Sequence, residues 1–165
     1  MVLVLRRTAF FFAIVLAFAL LTAAAHAATH DVVPIAGFRP GTIVVKTGER
    51  RLYYVIDGGH ALRFPVGVGR AGMAWHGRAY VAKKYLHPAW SANPGVTPTI
   101  PGGSPRNPMG AAALGLDRGN YAIHGTNNPG SVGQFVSHGC IRMYNSDIRE
   151  LYRLVDIGTP VIVEQ

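Results

Sequence analysis

The chain has 165 residues, 49% of them apolar and only one of them cysteine, and carries 16 basic against eight acidic side chains for a formal charge of +8. That length holds one ordinary domain once a targeting segment is set aside, with little room for a second. The basic residues stand singly or in pairs, as in Arg50-Arg51 and Lys83-Lys84, without the dense tract that marks a nucleic-acid binder. An anionic envelope polymer or membrane surface fits this charge better, with solubility alone as the other reading.

Arg6 and Arg7 precede an unbroken apolar run from Ala9 to Leu21, and small residues follow, ending in Ala25-His26-Ala27. A run of 13 residues falls short of the about 20 that a spanning helix needs. Residues 1–27 are therefore expected to be a secretory signal peptide cleaved before Ala28, with the mature protein in the periplasm. The paired arginines also admit twin-arginine export, and membrane attachment is expected only if the segment stays uncleaved. The mature chain keeps 14 basic and eight acidic residues, a net +6.

Residues 28–40 form a lead-in with two prolines and no clear period, and a single domain is expected over 41–165. Thr42–Lys46, Arg51–Ile56 and Leu62–Val68 read as strands, and Thr47-Gly48 and Asp57-Gly58-Gly59 read as the turns of a β meander. His87 to Gly110 holds six of the 11 prolines, which excludes a helix or a central strand and leaves a long Pro/Gly-rich loop, either a wall beside a binding site or a surface excursion. Ala111–Leu116 and Tyr121–Ile123 give further short apolar elements. Asn145-Ser146-Asp147 offers a helix N-cap, and Ile148, Leu151, Tyr152 and Val155 follow at helical spacing before Gly158. A last strand runs from Pro160 to Val163, so the fold is expected to be mainly β with one short helix before the final strand.

An exported chain with one cysteine is unusual, because oxidising compartments favour paired thiols. Cys140 stands in Ser137-His138-Gly139-Cys140-Ile141-Arg142, where a hydroxyl, an imidazole, a thiol and a guanidinium surround one glycine. The reactive species of such a thiol is its thiolate, favoured beside a base or a cation, and Gly139 permits the close backbone approach that an oxyanion site requires. Sixteen residues upstream, His124 follows a strand-like segment and precedes Gly125, a strand-end position suited to a base. From these residues alone a Cys140/His124 or Cys140/His138 dyad leads over a zinc site and over purely structural roles. The other histidines that zinc would call on, His60, His76 and His87, lack ligand spacing.

His124-Gly125-Thr126-Asn127, then Pro129, Ser131 and Gly133, then Ser137-His138-Gly139-Cys140-Ile141-Arg142-Met143 resembles the signature of the L,D-transpeptidase (YkuD-type) catalytic domain. The resemblance extends to Asn107-Pro108-Met109-Gly110, Asn145, Asp147, Leu151 and Gly158-Thr159-Pro160-Val161. It implies a β-sandwich in which Cys140 attacks a peptidoglycan stem tetrapeptide, releases D-alanine and passes the acyl group to an amine on a second stem or on an envelope protein. By the same resemblance His124 is the base, the Gly125 carbonyl orients it, and Ser137, His138, Gly139 and Arg142 line the substrate. No cofactor, metal or nucleic acid is implied. Where family members carry a Thr-Pro-Thr-Gly-like segment this chain has Met73-Ala74-Trp75-His76-Gly77-Arg78, so core packing for Trp75 and a surface place for His76 are the default expectations. Hydrolysis through the same thioester, as a carboxypeptidase or amidase, is the alternative enzyme reading, and a catalytically silent wall-binding module is the alternative of another class.

Overall fold

A computed structural model of the chain describes residues 30–165, so the expected signal peptide and the first residues of the lead-in lie outside the described part. The Val/Ile/Leu/Tyr-rich segments form the expected meander: β2 (Ile43–Lys46), β3 (Arg51–Val55) and β4 (His60–Pro65) pair antiparallel in sequence. Asp57 sets the second turn, its Oδ1 accepting the N–H groups of Gly59 and His60 at 2.8 Å each. The expected strand Leu62–Val68 is in fact two. It breaks at Val66-Gly67, and β5 (Val68–Gly69) leaves to pair with β9 (Phe135–Ser137) as a separate two-stranded ribbon. The lead-in is ordered from Asp31 to Pro34 as β1, which extends the sheet beside β4.

The longest strand, β6 (Gly77–Leu86), drew no strand assignment from its sequence. Its alternation is broken by a register shift between Val81 and Lys83, and glycine, arginine and lysines dilute its apolar signal. That shift lets β6 serve two neighbours. Its first half pairs with β11 (Pro160–Glu164) and its second half with β7 (Ala112–Leu116), which is followed by β8 (Ala122–His124) and β10 (Ile141–Arg142). The resulting strand order is β1-β4-β3-β2-β11-β6-β7-β8-β10. Ile43, Val45, Leu52 and Phe64 from one half of it meet Leu114, Ile123, Ile141 and Met143 from the other in a single core, the packing of a sandwich.

Helix α1 (Asn145–Leu154) lies on β7 and gives Ile148 and Leu151, both fully buried, to that core. Its start corrects the sequence reading. The N-cap position is Tyr144 and no side chain caps the helix, because the Asn145 amide is engaged elsewhere. The loop after β6 contains no helix or strand, only an isolated bridge between Trp90 and Ile100. It is ordered from within by Asn107, 1% exposed, whose Nδ2 donates to the carbonyls of Pro88 at 2.8 Å and Pro101 at 3.1 Å while its Oδ1 accepts the Met109 N–H. Asn127 Nδ2 donates to the Arg106 carbonyl at 3.0 Å, which seats the loop against the chain leaving β8.

The core makes one direct prediction. Leu114 of β7 is fully buried in the core that Ile148 and Leu151 of α1 share, so Leu114→Ala should cost about 2–5 kcal/mol in urea unfolding, whereas Val96→Ala on the exposed loop should stay within about 0.5 kcal/mol.

Candidate active site

β8 and β10 run parallel, with Ile123 opposite Ile141 and His124 opposite Arg142. Ile123, Ile141 and Met143 all enter the core. The period of two therefore turns Ala122, His124 and Arg142 to the other face, Cys140 directly precedes β10 with its thiol against the Ala122 backbone, and the Arg142 charge reaches both Cys140 and His124. On its outer edge β10 is closed by Gly67, which exchanges both backbone hydrogen bonds with Arg142 at 2.8 Å.

His124 ends β8 and is 5% exposed. Its Nδ1 lies 2.6 Å from the Gly125 carbonyl oxygen. A carbonyl can only accept, so Nδ1 bears the proton of the neutral ring and Nε2 presents a lone pair. Burial pulls the His124 pKa down to about 4, helped by the nearby Arg142 guanidinium and opposed by the Gly125 hydrogen bond. The ring rests neutral at pH 7.

The peptide unit that carries the Gly125 carbonyl is held by the Asn145 side chain through its Thr126 N–H. Asn145 Oδ1 accepts the N–H groups of Ala111 at 2.9 Å and Thr126 at 3.2 Å, and its Nδ2 donates to the Thr126 carbonyl at 3.0 Å. A Cβ on Gly125 would strike Asn145 Oδ1, so the glycine permits this close approach. One amide thus joins the strand leading into β7, the chain leaving β8 and the first turn of α1. Its sequence signal was read as a helix cap, a reading that short-range pattern favours because Asn serves both purposes.

Cys140 is half-buried in the turn between β9 and β10. Gly139 adopts φ +120°, and a Cβ there would run into the Tyr121 ring. Ser137 Oγ donates to the Cys140 carbonyl at 2.6 Å and accepts the Gly139 N–H at 3.1 Å, closing the turn from inside. Ser137 is 1% exposed, so it shapes the turn rather than lining a substrate path, and the Gly139 amide is already engaged. His138, by contrast, is exposed. Trp75 Nε1 donates to the Gly139 carbonyl at 2.9 Å, Tyr121 stacks on the indole at 5.4 Å with an interplanar angle of 3°, and Arg118 Cζ lies 4.9 Å from the indole ring. Trp75 is therefore buried as expected but also holds the Cys140 turn, a role its place outside the signature gave no means of finding. His76 is exposed beside it.

Burial raises the Cys140 pKa, opposed by a backbone hydrogen bond from Ala122 and by the Arg142 charge. The resting pair is accordingly a neutral thiol and a neutral imidazole. Arg142 has no carboxylate partner among the described residues. Nor do three His, Cys, Asp or Glu side chains gather anywhere among those residues as a metal centre would require, and His60 instead contacts Asp57 at 3.0 Å.

A family model described as the L,D-transpeptidase catalytic domain, YkuD, matches residues 40–163. The probable L,D-transpeptidase YbiS of Escherichia coli K12 is 37% identical over 135 residues, covering 72% of this chain and 43% of that protein, so the chain spans less than half the length of this relative. Among solved structures, L,D-transpeptidase 3 from Mycobacterium tuberculosis in complex with a faropenem-derived adduct aligns with a TM-score of 0.62 at 20% identity, over 75% of this chain and 60% of that one. The catalytic domain of the E. faecium L,D-transpeptidase acylated by ertapenem aligns at 0.59 and 24% identity, over 78% and 99%. These two likenesses establish the fold. With the family model covering residues 40–163 and a relative 37% identical over 72% of the chain, the chain belongs to the L,D-transpeptidase catalytic-domain family.

Proposed function

We propose that this protein is a periplasmic peptidoglycan L,D-transpeptidase that works through a thioester on Cys140. The observation that carries the reading is the β8–β10 pairing, which brings the segment of the only thiol of the chain alongside a buried, neutral, tautomerically fixed imidazole, with Arg142 opposite it and without a carboxylate partner among the described residues. Export rests on the Arg6-Arg7 and Ala9–Leu21 segment.

Cys140 Sγ attacks the carbonyl carbon of the diamino-acid residue of a stem tetrapeptide while His124 Nε2 takes the thiol proton. The tetrahedral intermediate breaks its C–N bond, D-alanine leaves with the proton returned by His124, and the thioester remains. An acceptor amine then attacks the thioester, His124 receives the amine proton, and the C–S bond breaks to restore the thiol. Arg142 supplies a fixed positive charge to a stem carboxylate, a pairing its fork geometry suits. The half-exposed thiol also leaves water as a competing acceptor, which would give D-alanine release without a cross-linked product.

Cys140→Ala should reduce D-alanine release from a disaccharide tetrapeptide to background while leaving the thermal transition in place; retained turnover would refute the thioester route. In the unaltered protein, intact-mass spectrometry should find one adduct after incubation with a penem or carbapenem, and none in the variant.

Asn145→Ala should retain the thiol yet lower kcat for acylation about 10- to 100-fold with little change in KM, because misplacing a base acts on the transition state. Asn145→Asp, which keeps the acceptor but loses the Nδ2 donor, should be milder. Equal loss in KM and kcat would indicate a general structural defect instead.

Burial of a neutral histidine has a signed consequence for stability. Between the unfolded value of about 6.5 and the folded value of about 4, only the unfolded chain carries the extra proton. Stability should therefore rise with pH across this window by roughly 3 kcal/mol and level off above it. His124→Gln should lack this part of the slope in urea titrations from pH 4 to 7; identical slopes would contradict it.

A further inference from the structure

A groove of about 350 Å³ opens on the outer face of the sheet where β2, β11 and β6 adjoin, lined among others by Phe38, Arg39, Thr42, Arg78, Tyr80 and Ile162. Its floor follows from strand alternation. Ala79, Val81, Val161 and Val163 enter the core, so Arg78, Tyr80, Pro160 and Ile162 face outward, with Arg78 opposite Ile162 and Tyr80 opposite Pro160. Cys140 and His124 are not part of it, and β10 lies three strands along the sheet from β6.

Three features distinguish this groove from ordinary solvated surface. Arg39 and Arg78 converge on it and neither pairs with a carboxylate among the described residues. The nearby Asp117 carboxylate is outside the lining and already accepts the Tyr80 N–H at 2.8 Å. Thr42 is 4% exposed, lines the groove, and its hydroxyl makes no hydrogen bond to another described residue. Tyr80 keeps 48% of its surface exposed there as a flat apolar face with a polar tip.

We propose that the groove is a second docking site for peptidoglycan itself, in which Arg39 and Arg78 take a stem-peptide carboxylate, the Thr42 hydroxyl meets an adjacent amide or sugar hydroxyl, and Tyr80 packs on a sugar face. The assignment rests on the proposed substrate. Two guanidinium forks match carboxylates bidentately, and one aromatic face suits a pyranose ring better than it suits a bilayer, which selects protruding apolar side chains and larger cationic clusters. A site on the same polymer as the scissile stem raises the effective concentration of substrate at Cys140 without touching the chemistry.

The test compares the full chain with Arg39→Ser/Arg78→Ser. Binding is measured by co-sedimentation with purified peptidoglycan sacculi, both proteins carrying Cys140→Ala to prevent turnover. Turnover is measured separately, with the native thiol, on a soluble disaccharide tetrapeptide. The double variant should bind sacculi about tenfold more weakly, with the wild-type binding falling as salt is raised, and should release D-alanine from the soluble substrate within twofold of wild type. Unchanged sacculus binding would overturn the proposal. So would binding to anionic phospholipid vesicles that depends on the two arginines while sacculus binding does not. If neither protein releases D-alanine yet sacculus binding still falls, the transpeptidase reading fails and the docking site stands. Tyr80→Ala, at an exposed position, gives a second variant with the same expected direction, and hydrogen-exchange protection of residues 78–80 in the wild type on adding solubilised glycan strands tests the site without substitution.

Discussion

The parallel pairing of β8 with β10 governs the site, because it brings positions 18 apart in sequence into a register that puts His124 opposite Arg142. Once Ile123 and Ile141 are committed to the core, the opposite face has no freedom: it must carry His124 and Arg142 together, with Cys140 in the turn that enters β10. The chemistry is thus anchored by apolar packing. A slip of one residue would bury the polar groups and expose the isoleucines, at a cost of several kcal/mol in lost burial alone.

Around this register the molecule invests in backbone carbonyls. Gly125 O fixes the histidine tautomer, Gly139 O is held by Trp75, Cys140 O by Ser137, and Thr126 O by Asn145. Each is an ordinary acceptor whose satisfaction also stiffens a turn. The electrostatics follow from the same enclosure. Burial disfavours both the thiolate and the imidazolium, and Arg142 favours the first while opposing the second. At rest both groups are therefore neutral, and the thiol and imidazole are not stored as an ion pair.

Much of this could be read from the chain before its fold. The meander, the long proline-rich loop, β7, β8 and the helix were visible because their apolar periods and turn residues are local properties. The signature segments around His124 and Cys140 stand out for the same reason. Three features escaped. β6 loses its signature where it changes partner, Asn145 reads locally as a cap because Asn acts as both cap and clamp, and the support of Gly139 by Trp75 joins residues 64 apart with no local trace. What failed to show was long-range pairing.

The place of β11 has its own consequence. This strand, from the far end of the sequence, lies between β2 and β6 and pairs parallel with β2 across 118 positions, Val161 beside Ile43. Until residues 160–164 have left the ribosome, the sheet exists only as two pieces with raw inner edges, each offering unpaired N–H and C=O groups to any passing strand. The sheet can therefore close only once β11 is available to both halves. Interrupted translation would yield a chain that holds the entire catalytic signature and has nowhere to put it.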